Sequence, residues 1–127
     1  MMKKLHIEGT RYSPRIELDP ETRTLLIEGD SYPENAVDVY GPLITALDEY
    51  FEQPNTPLNI KMLSFFQNTS SSKMITDMLA RLQHFFDMGH PVELTWFYPS
   101  DDLEIKDTFE LFLEDASFPY SITQLEE

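Results

Sequence analysis

Arg15-Ile16-Glu17-Leu18-Asp19 alternates apolar and charged residues, and Thr24-Leu25-Leu26-Ile27-Glu28-Gly29 follows after the turn-like Pro20-Glu21-Thr22-Arg23. Two short runs of β character joined by a Pro-containing turn predict a hairpin. Leu5-His6-Ile7-Glu8 supplies a further edge piece. The pattern then lengthens. Ser31-Tyr32-Pro33-Glu34 fits a capping box, in which the Ser hydroxyl accepts from an early helix N–H and the Glu reaches back. Val37, Tyr40, Ile44, Leu47 and Phe51 lie on one helical face. Pro42 cannot donate to the carbonyl of Asp38, which predicts a kink or restart near Gly41-Pro42. Gln53-Pro54-Asn55-Thr56-Pro57 ends the helix.

In the second half, Leu58-Asn59-Ile60-Lys61-Met62-Leu63-Ser64-Phe65-Phe66 alternates and then turns apolar, as an interior strand does. Gln67-Asn68-Thr69-Ser70-Ser71-Ser72 is a polar loop with N-cap chemistry. Ile75, Met78, Leu79, Leu82, Phe85 and Phe86 have the spacing of a buried helix face, and Gly89 is placed as a C-cap. Pro91 to Tyr98 predicts another strand, stopped by Pro99. Asp101-Asp102-Leu103-Glu104 repeats the capping-box pattern ahead of a helix with Ile105, Phe109, Phe112, Leu113 and Ala116 inward. Tyr120 to Leu125 is a short last strand or tail. The order is β-β-α-β-α-β-α-β. Strand–helix alternation demands crossovers and hence parallel pairing, so an antiparallel hairpin continues into a parallel region. The expectation is an α/β fold: a single domain, residues 1–127, with a small mixed sheet, an N-terminal hairpin and about three helices.

Charge narrows the function. The chain has 127 residues, 9 basic against 23 acidic, a formal net charge of −14. Such a surface repels phosphate backbones and anionic lipid, which argues against nucleic-acid and membrane partners. There is no Cys, so no disulfide, thiol nucleophile or Cys-bound zinc is possible. The first residues, Met1 to Glu8, lack the apolar core of a signal peptide. A cytoplasmic protein is the expectation. The acid is unevenly spread: residues 24–60 are net −7 and 93–127 net −9, whereas 1–23 and 61–92 are each net +1.

Candidate chemistry is sparse. Asp101, Asp102 and Glu104 have the character of a charged helix N-terminus, which the helix dipole favours, more than of a cation site. They lack the alternate acids and central Gly of an EF-hand loop. His6, His84 and His90 form no ligand pair, and His84 is expected at the boundary of the core. With 4 Gly in the chain there is no phosphate-cradling loop, and there is no Gly-x-Ser-x-Gly. The Trp96-Phe97-Tyr98 strand is open to a small-molecule-binding or enzymatic reading, against core packing as the plain one. The segment with most promise is Asn68-Thr69-Ser70-Ser71-Ser72-Lys73. It follows an interior strand and opens a helix, the place where α/β proteins put their sites and where free N–H groups accommodate an anion. Lys73 is placed to pair with a phosphate. The plain alternative is that Thr69 or Ser70 is only an N-cap.

Three stretches carry a family resemblance: Gly29-Asp30-Ser31-Tyr32-Pro33-Glu34-Asn35, Asn68-Thr69-Ser70-Ser71, and Glu114-Asp115-Ala116-Ser117-Phe118-Pro119-Tyr120. Together they resemble the SiaC-type regulatory phosphoproteins, which have a STAS-like fold similar to anti-sigma-factor antagonists. The resemblance implies a non-enzymatic partner switch with no cofactor and no metal. A protein kinase phosphorylates Thr69, a PP2C-type phosphatase removes the phosphate, and the unphosphorylated form binds and activates a diguanylate cyclase. Cyclic di-GMP then rises and biofilm is favoured. Asn68, Ser70, Ser71, Ser72 and Lys73 form the surrounding loop. The alternative partner is an anti-sigma kinase, with the chain acting as an anti-sigma-factor antagonist.

Overall fold

In the computed structural model, which describes residues 2–99 and 101–125, the predicted elements all form. In chain order they are β1 (Leu5–Ile7), β2 (Arg15–Asp19), β3 (Thr24–Glu28), α1 (Ala36–Tyr50), β4 (Leu58–Leu63), α2 (Thr69–Asp87), β5 (Val92–Pro99), α3 (Leu103–Leu113) and β6 (Tyr120–Leu125). The six strands lie side by side in sequence order. β1, β2 and β3 pair antiparallel, and β3 through β6 pair parallel.

Each parallel step moves one place in the same direction. Crossovers of one hand then put all three helices over one face. Burial alternates accordingly along β2 to β5. Register stacks the inward residues in rows across the sheet: Ile16, Ile27, Met62 and Trp96 in one, Leu18, Leu25, Ile60 and Leu94 in the next. Their partners on the helices are Tyr40, Leu43 and Leu47 of α1, Ile75, Met78 and Leu82 of α2, and Ile105, Phe109 and Leu113 of α3, all buried. On the solvent side a bidentate pair clasps α1 to α2, with Arg81 Nε 2.7 Å from Asp48 Oδ1 and Nη2 2.8 Å from Oδ2.

Several local expectations are corrected. α1 begins at Ala36, capped by Asn35, whose Oδ1 accepts the Val37 N–H at 3.2 Å. Ser31 is not its cap. The inward stripe of α1 is Ala36, Tyr40, Leu43, Ala46, Leu47 and Tyr50, while Val37 is 60% exposed. The small alanines mark the face that approaches the sheet, and a pattern weighted towards large apolar residues overlooks them. α1 also passes through Pro42 without restarting. Pro42 and Asp38 both lie on the exposed side, where water serves the carbonyl that Pro42 leaves without its usual donor. α3 is capped by Asp102 rather than Asp101, the Asp102 carboxylate accepting from the Ile105 N–H at 3.1 Å. β4 ends at Leu63, three residues before the predicted limit. The cap of α2 is Met88, with Gly89 just beyond it at φ +105°, the left-handed position that glycine accepts without strain.

The aromatic strand belongs to the core. Trp96 is fully buried, stacks on Phe109 at 3.9 Å between ring centroids, and donates its indole N–H to the Ser64 carbonyl at 2.9 Å. His84, expected at the boundary of the core, is exposed, and His90 is buried. Among the described residues no group of three or more His, Asp or Glu is placed to hold a metal ion, and no helix is long and apolar enough to cross a membrane.

Candidate functional site: the Thr69 turn

β3 and β4 end together, and the chain segments that leave them stay paired. The Gly29 N–H donates to the Leu63 carbonyl at 3.0 Å. Gly29 is at φ +116°, and a Cβ there would sit 3.3 Å from Pro14 Cα, so both backbone conformation and space call for glycine. Beyond it the Asp30 carboxylate faces the N–H groups of Phe65 and Phe66 at 3.4 Å each. Ser31 then forms a parallel bridge with Gln67: its N–H donates to the Phe66 carbonyl and its carbonyl accepts from the Asn68 N–H, both at 2.8 Å.

This pairing delivers Asn68 to the start of α2. Its Oδ1 accepts the Ser71 N–H at 2.9 Å, which makes it the N-cap, and its Nδ2 donates to the Pro33 carbonyl at 3.2 Å. Capping is therefore done by Asn68, and neither Thr69 nor Ser70 is needed for it. Thr69 is the first residue of α2 and is exposed. Ser70 is also exposed, but its hydroxyl donates back to Asn68 Oδ1 at 3.3 Å. Ser71 is fully buried, Ser72 half-buried and Lys73 exposed. Thr69 to Ser72, expected in a loop, instead form with Lys73 the start of α2, because Asn68 caps the helix ahead of them, and only part of the set faces solvent.

Beneath the turn lies a feature that local spacing does not announce. Ser31 Oγ and Ser71 Oγ are 2.7 Å apart, and the Tyr40 hydroxyl donates to Ser31 Oγ at 2.8 Å. All three side chains are fully buried. Burial pushes the Tyr40 phenol up to about 12, against the opposing effect of its bond to Ser31. The chain of hydroxyls joins the β3–α1 connection, the body of α1 and the first turn of α2.

Around the turn, large apolar side chains face solvent. Tyr12, Tyr32 and Phe66 are each between 46% and 60% exposed. The Tyr32 N–H donates to the Tyr12 carbonyl, and Phe66 is bonded to Ser31 next to Tyr32, so the three backbones are contiguous. The sequence gives little warning of this cluster, because Tyr12, Tyr32 and Phe66 each lie in a connection between elements. For Tyr12 and Tyr32 the signal is an aromatic residue in a segment too polar to belong to the core, while Phe66 sits at the apolar end of the run predicted as a strand.

A chain with these features matches the model of the SiaC family regulatory phosphoproteins over residues 7–125. It is 36% identical over 121 residues to an uncharacterized protein of Pseudomonas aeruginosa (strain UCBPP-PA14), covering 95% of this chain and 96% of that one. Its fold superposes on apo-SiaC from Pseudomonas aeruginosa with a TM-score of 0.89 at 36% identity, covering 96% of this chain and 99% of the other. It superposes with a TM-score of 0.92 at 35% identity on a chain in the crystal structure of the diguanylate cyclase SiaD in complex with its activator SiaC, also from Pseudomonas aeruginosa, covering 95% and 99%. The sequence, the sheet order and the three helices lead to one assignment: the chain belongs to the SiaC family of regulatory phosphoproteins.

Proposed function

We propose that this chain is a single-domain partner switch whose state is written on Thr69. A protein kinase places phosphate on the Thr69 hydroxyl and a PP2C-type phosphatase removes it. The unphosphorylated chain binds and activates a diguanylate cyclase in the cytoplasm, raising cyclic di-GMP and favouring biofilm. The chain regulates and is not itself an enzyme. The SiaC of Pseudomonas aeruginosa is an activator of the diguanylate cyclase SiaD, and its likeness to this chain supports the same kind of partner here.

The observation that carries the reading is the setting of Thr69: exposed, relieved of capping by Asn68, and neighboured by exposed Tyr12, Tyr32 and Phe66. Apolar groups in such a cluster serve association. A phosphate at the first residue of α2 faces the free N–H groups and positive dipole end of the helix, so it leaves the fold intact. It adds about −1.5 to −2 charges to a contact surface, and a docking partner must strip water from them. Blocking by charge, without unfolding, follows from these two effects.

The test is direct. The purified chain is incubated with ATP and the kinase encoded beside it, and the modified residue is mapped by mass spectrometry. Modification at Thr69 is expected, and modification elsewhere rejects the assignment. The wild-type chain is expected to capture a diguanylate cyclase and Thr69→Asp to lose it. Capture of an anti-sigma kinase in its place replaces the proposed partner.

A further inference from the structure

Four consecutive hydroxyl residues, Thr69 to Ser72, open α2. A kinase guided by sequence alone meets four acceptors within one helical turn. The fold makes them unequal, and the inequality comes from beneath. Ser71 Oγ is held by Ser31, which is itself held by Tyr40, in a fully buried row. Ser31 is rigid because its backbone is bonded on both sides, to Phe66 and to Asn68.

We propose that the Tyr40–Ser31–Ser71 hydroxyl chain is a positioning device that fixes the rotation of the first turn of α2, so that Thr69 alone is offered for phosphorylation. The inference rests on the reading of Thr69 as the modified residue and adds what selects it.

The physical case is one of direction. Successive residues of a helix are about 100° apart. A turn slipped by one step brings a different hydroxyl to the surface. An apolar contact under the turn resists such a slip weakly, because hydrophobic attraction has no preferred direction. A hydrogen bond between buried hydroxyls has a narrow range of geometry, and breaking it strands polar groups away from water. Three buried hydroxyls are a poor way to fill space and a good way to fix orientation. Asn68 acts in the same sense from outside, with Oδ1 holding both the Ser71 N–H and the Ser70 hydroxyl. In the transfer itself, a bond forms between Thr69 Oγ1 and the γ-phosphorus of ATP, the bond from that phosphorus to ADP breaks, and the hydroxyl proton passes to a base of the kinase. Ser71 cannot enter that geometry without unwinding of the turn.

The experiment compares the full chain with Ser31→Ala and Tyr40→Phe. Each is treated with ATP and the kinase that modifies the wild type. Phosphorylated positions are mapped by tandem mass spectrometry, and hydrogen exchange is followed at residues 69–73. Wild type is expected to carry phosphate at Thr69 only. In Ser31→Ala, phosphate spreads to Ser70, Ser71 or Ser72, and the amides of Ser71 and Ser72 exchange about tenfold faster, as loss of a buried hydrogen bond implies. Tyr40→Phe keeps the ring and the packing, which guards against a simple folding failure, and shifts both readings the same way by less. If Thr69 remains the sole site in both variants with unchanged exchange, the chain of hydroxyls does not select it and the inference is overturned. If the wild type is modified elsewhere than Thr69, the functional reading fails first and takes this inference with it.

Discussion

The two ends of the parallel sheet both bury polar side chains, and to opposite effect. Where β3 and β4 finish, three buried hydroxyls bond to one another, and the exposed Thr69 above them is left free. Where β4 and β5 begin, His90 is buried against two aromatic rings, with its centroid 4.7 Å from that of Phe51 and 5.9 Å from that of Phe85. Its Nδ1 accepts the Thr56 N–H at 3.1 Å. That bond ties the loop after α1 to the turn before β5, and Phe51 stacks on Phe85 at 4.5 Å to close the same corner. One end spends its polar atoms on holding loops shut. The other spends them on setting the angle of a helix whose first residue stays available. Under the proposed positioning role, burial of polar groups serves stability at one end and presentation at the other.

The largest test of this contrast is at the closed end. His90→Ala removes the ring packed against the stacked Phe51 and Phe85 and takes the acceptor from Thr56, and is expected to cost about 2–4 kcal/mol in denaturant unfolding. A cost below about 0.5 kcal/mol makes the closed end as dispensable as an ordinary surface loop. Next, Tyr40→Phe removes one hydroxyl and keeps the ring, for an expected cost of about 1 kcal/mol at neutral pH. It has a pH signature too. The folded phenol, near 12, lies above its ordinary 10.0, so the neutral form favours the fold. That contribution is complete below pH 10 and is lost as pH rises through about 12, provided the unfolded phenol has its ordinary value. Alkaline unfolding curves of wild type and Tyr40→Phe should therefore converge across that interval. Parallel curves would remove the hydroxyl chain from the account of stability.

Smaller still is the effect on stability of Thr69→Glu. A negative charge in the first turn of α2 is expected to leave the melting temperature unchanged or to raise stability by about 0.3–1 kcal/mol, while partner capture is lost. Destabilisation beyond about 1 kcal/mol would show that Thr69 supports the fold and is not a free surface group. The smallest effect lies outside both ends. His6 is flanked by Glu8 at 3.0 Å and Glu17 at 2.9 Å on the exposed edge of the sheet. Its bond to Glu8 first, and that to Glu17 next, hold its pKa above 6.5. A raised value means a contribution present below pH 6.5 that fades as pH climbs through the folded pKa. NMR titration should place the His6 midpoint above 6.5 and return it towards that value in Glu8→Gln.

Much of this was legible in the chain. The alternation of Ile16, Leu18, Leu25 and Ile27 gives the hairpin and its inward face, because side chains of a strand point alternately to either side. The stripe Ile75, Met78, Leu79, Leu82 and Phe85 gives α2 in the same way. Ser31 was misread because its neighbours fit a local rule. A serine three residues before a glutamate satisfies the capping pattern, and nothing within that window reveals a partner forty residues away at Ser71. Val37 was misread for a related reason. Its size suggested the core, but Ala36 and Ala46 allow α1 to lie close to the sheet on a face rotated away from Val37.

The sequence by itself determined the order of strands and helices, the uneven spread of acid along the chain, and the place of Thr69 where a helix follows a strand. These follow from periodicity and composition, which are local properties. The tertiary structure decided which hydroxyl of the Thr69–Ser72 run is free, which residue caps α2, and which apolar residues surround the turn. Those depend on contacts between segments distant in the chain. The Ser31–Ser71 bond joins residues forty positions apart, so no local spacing in the sequence encodes it.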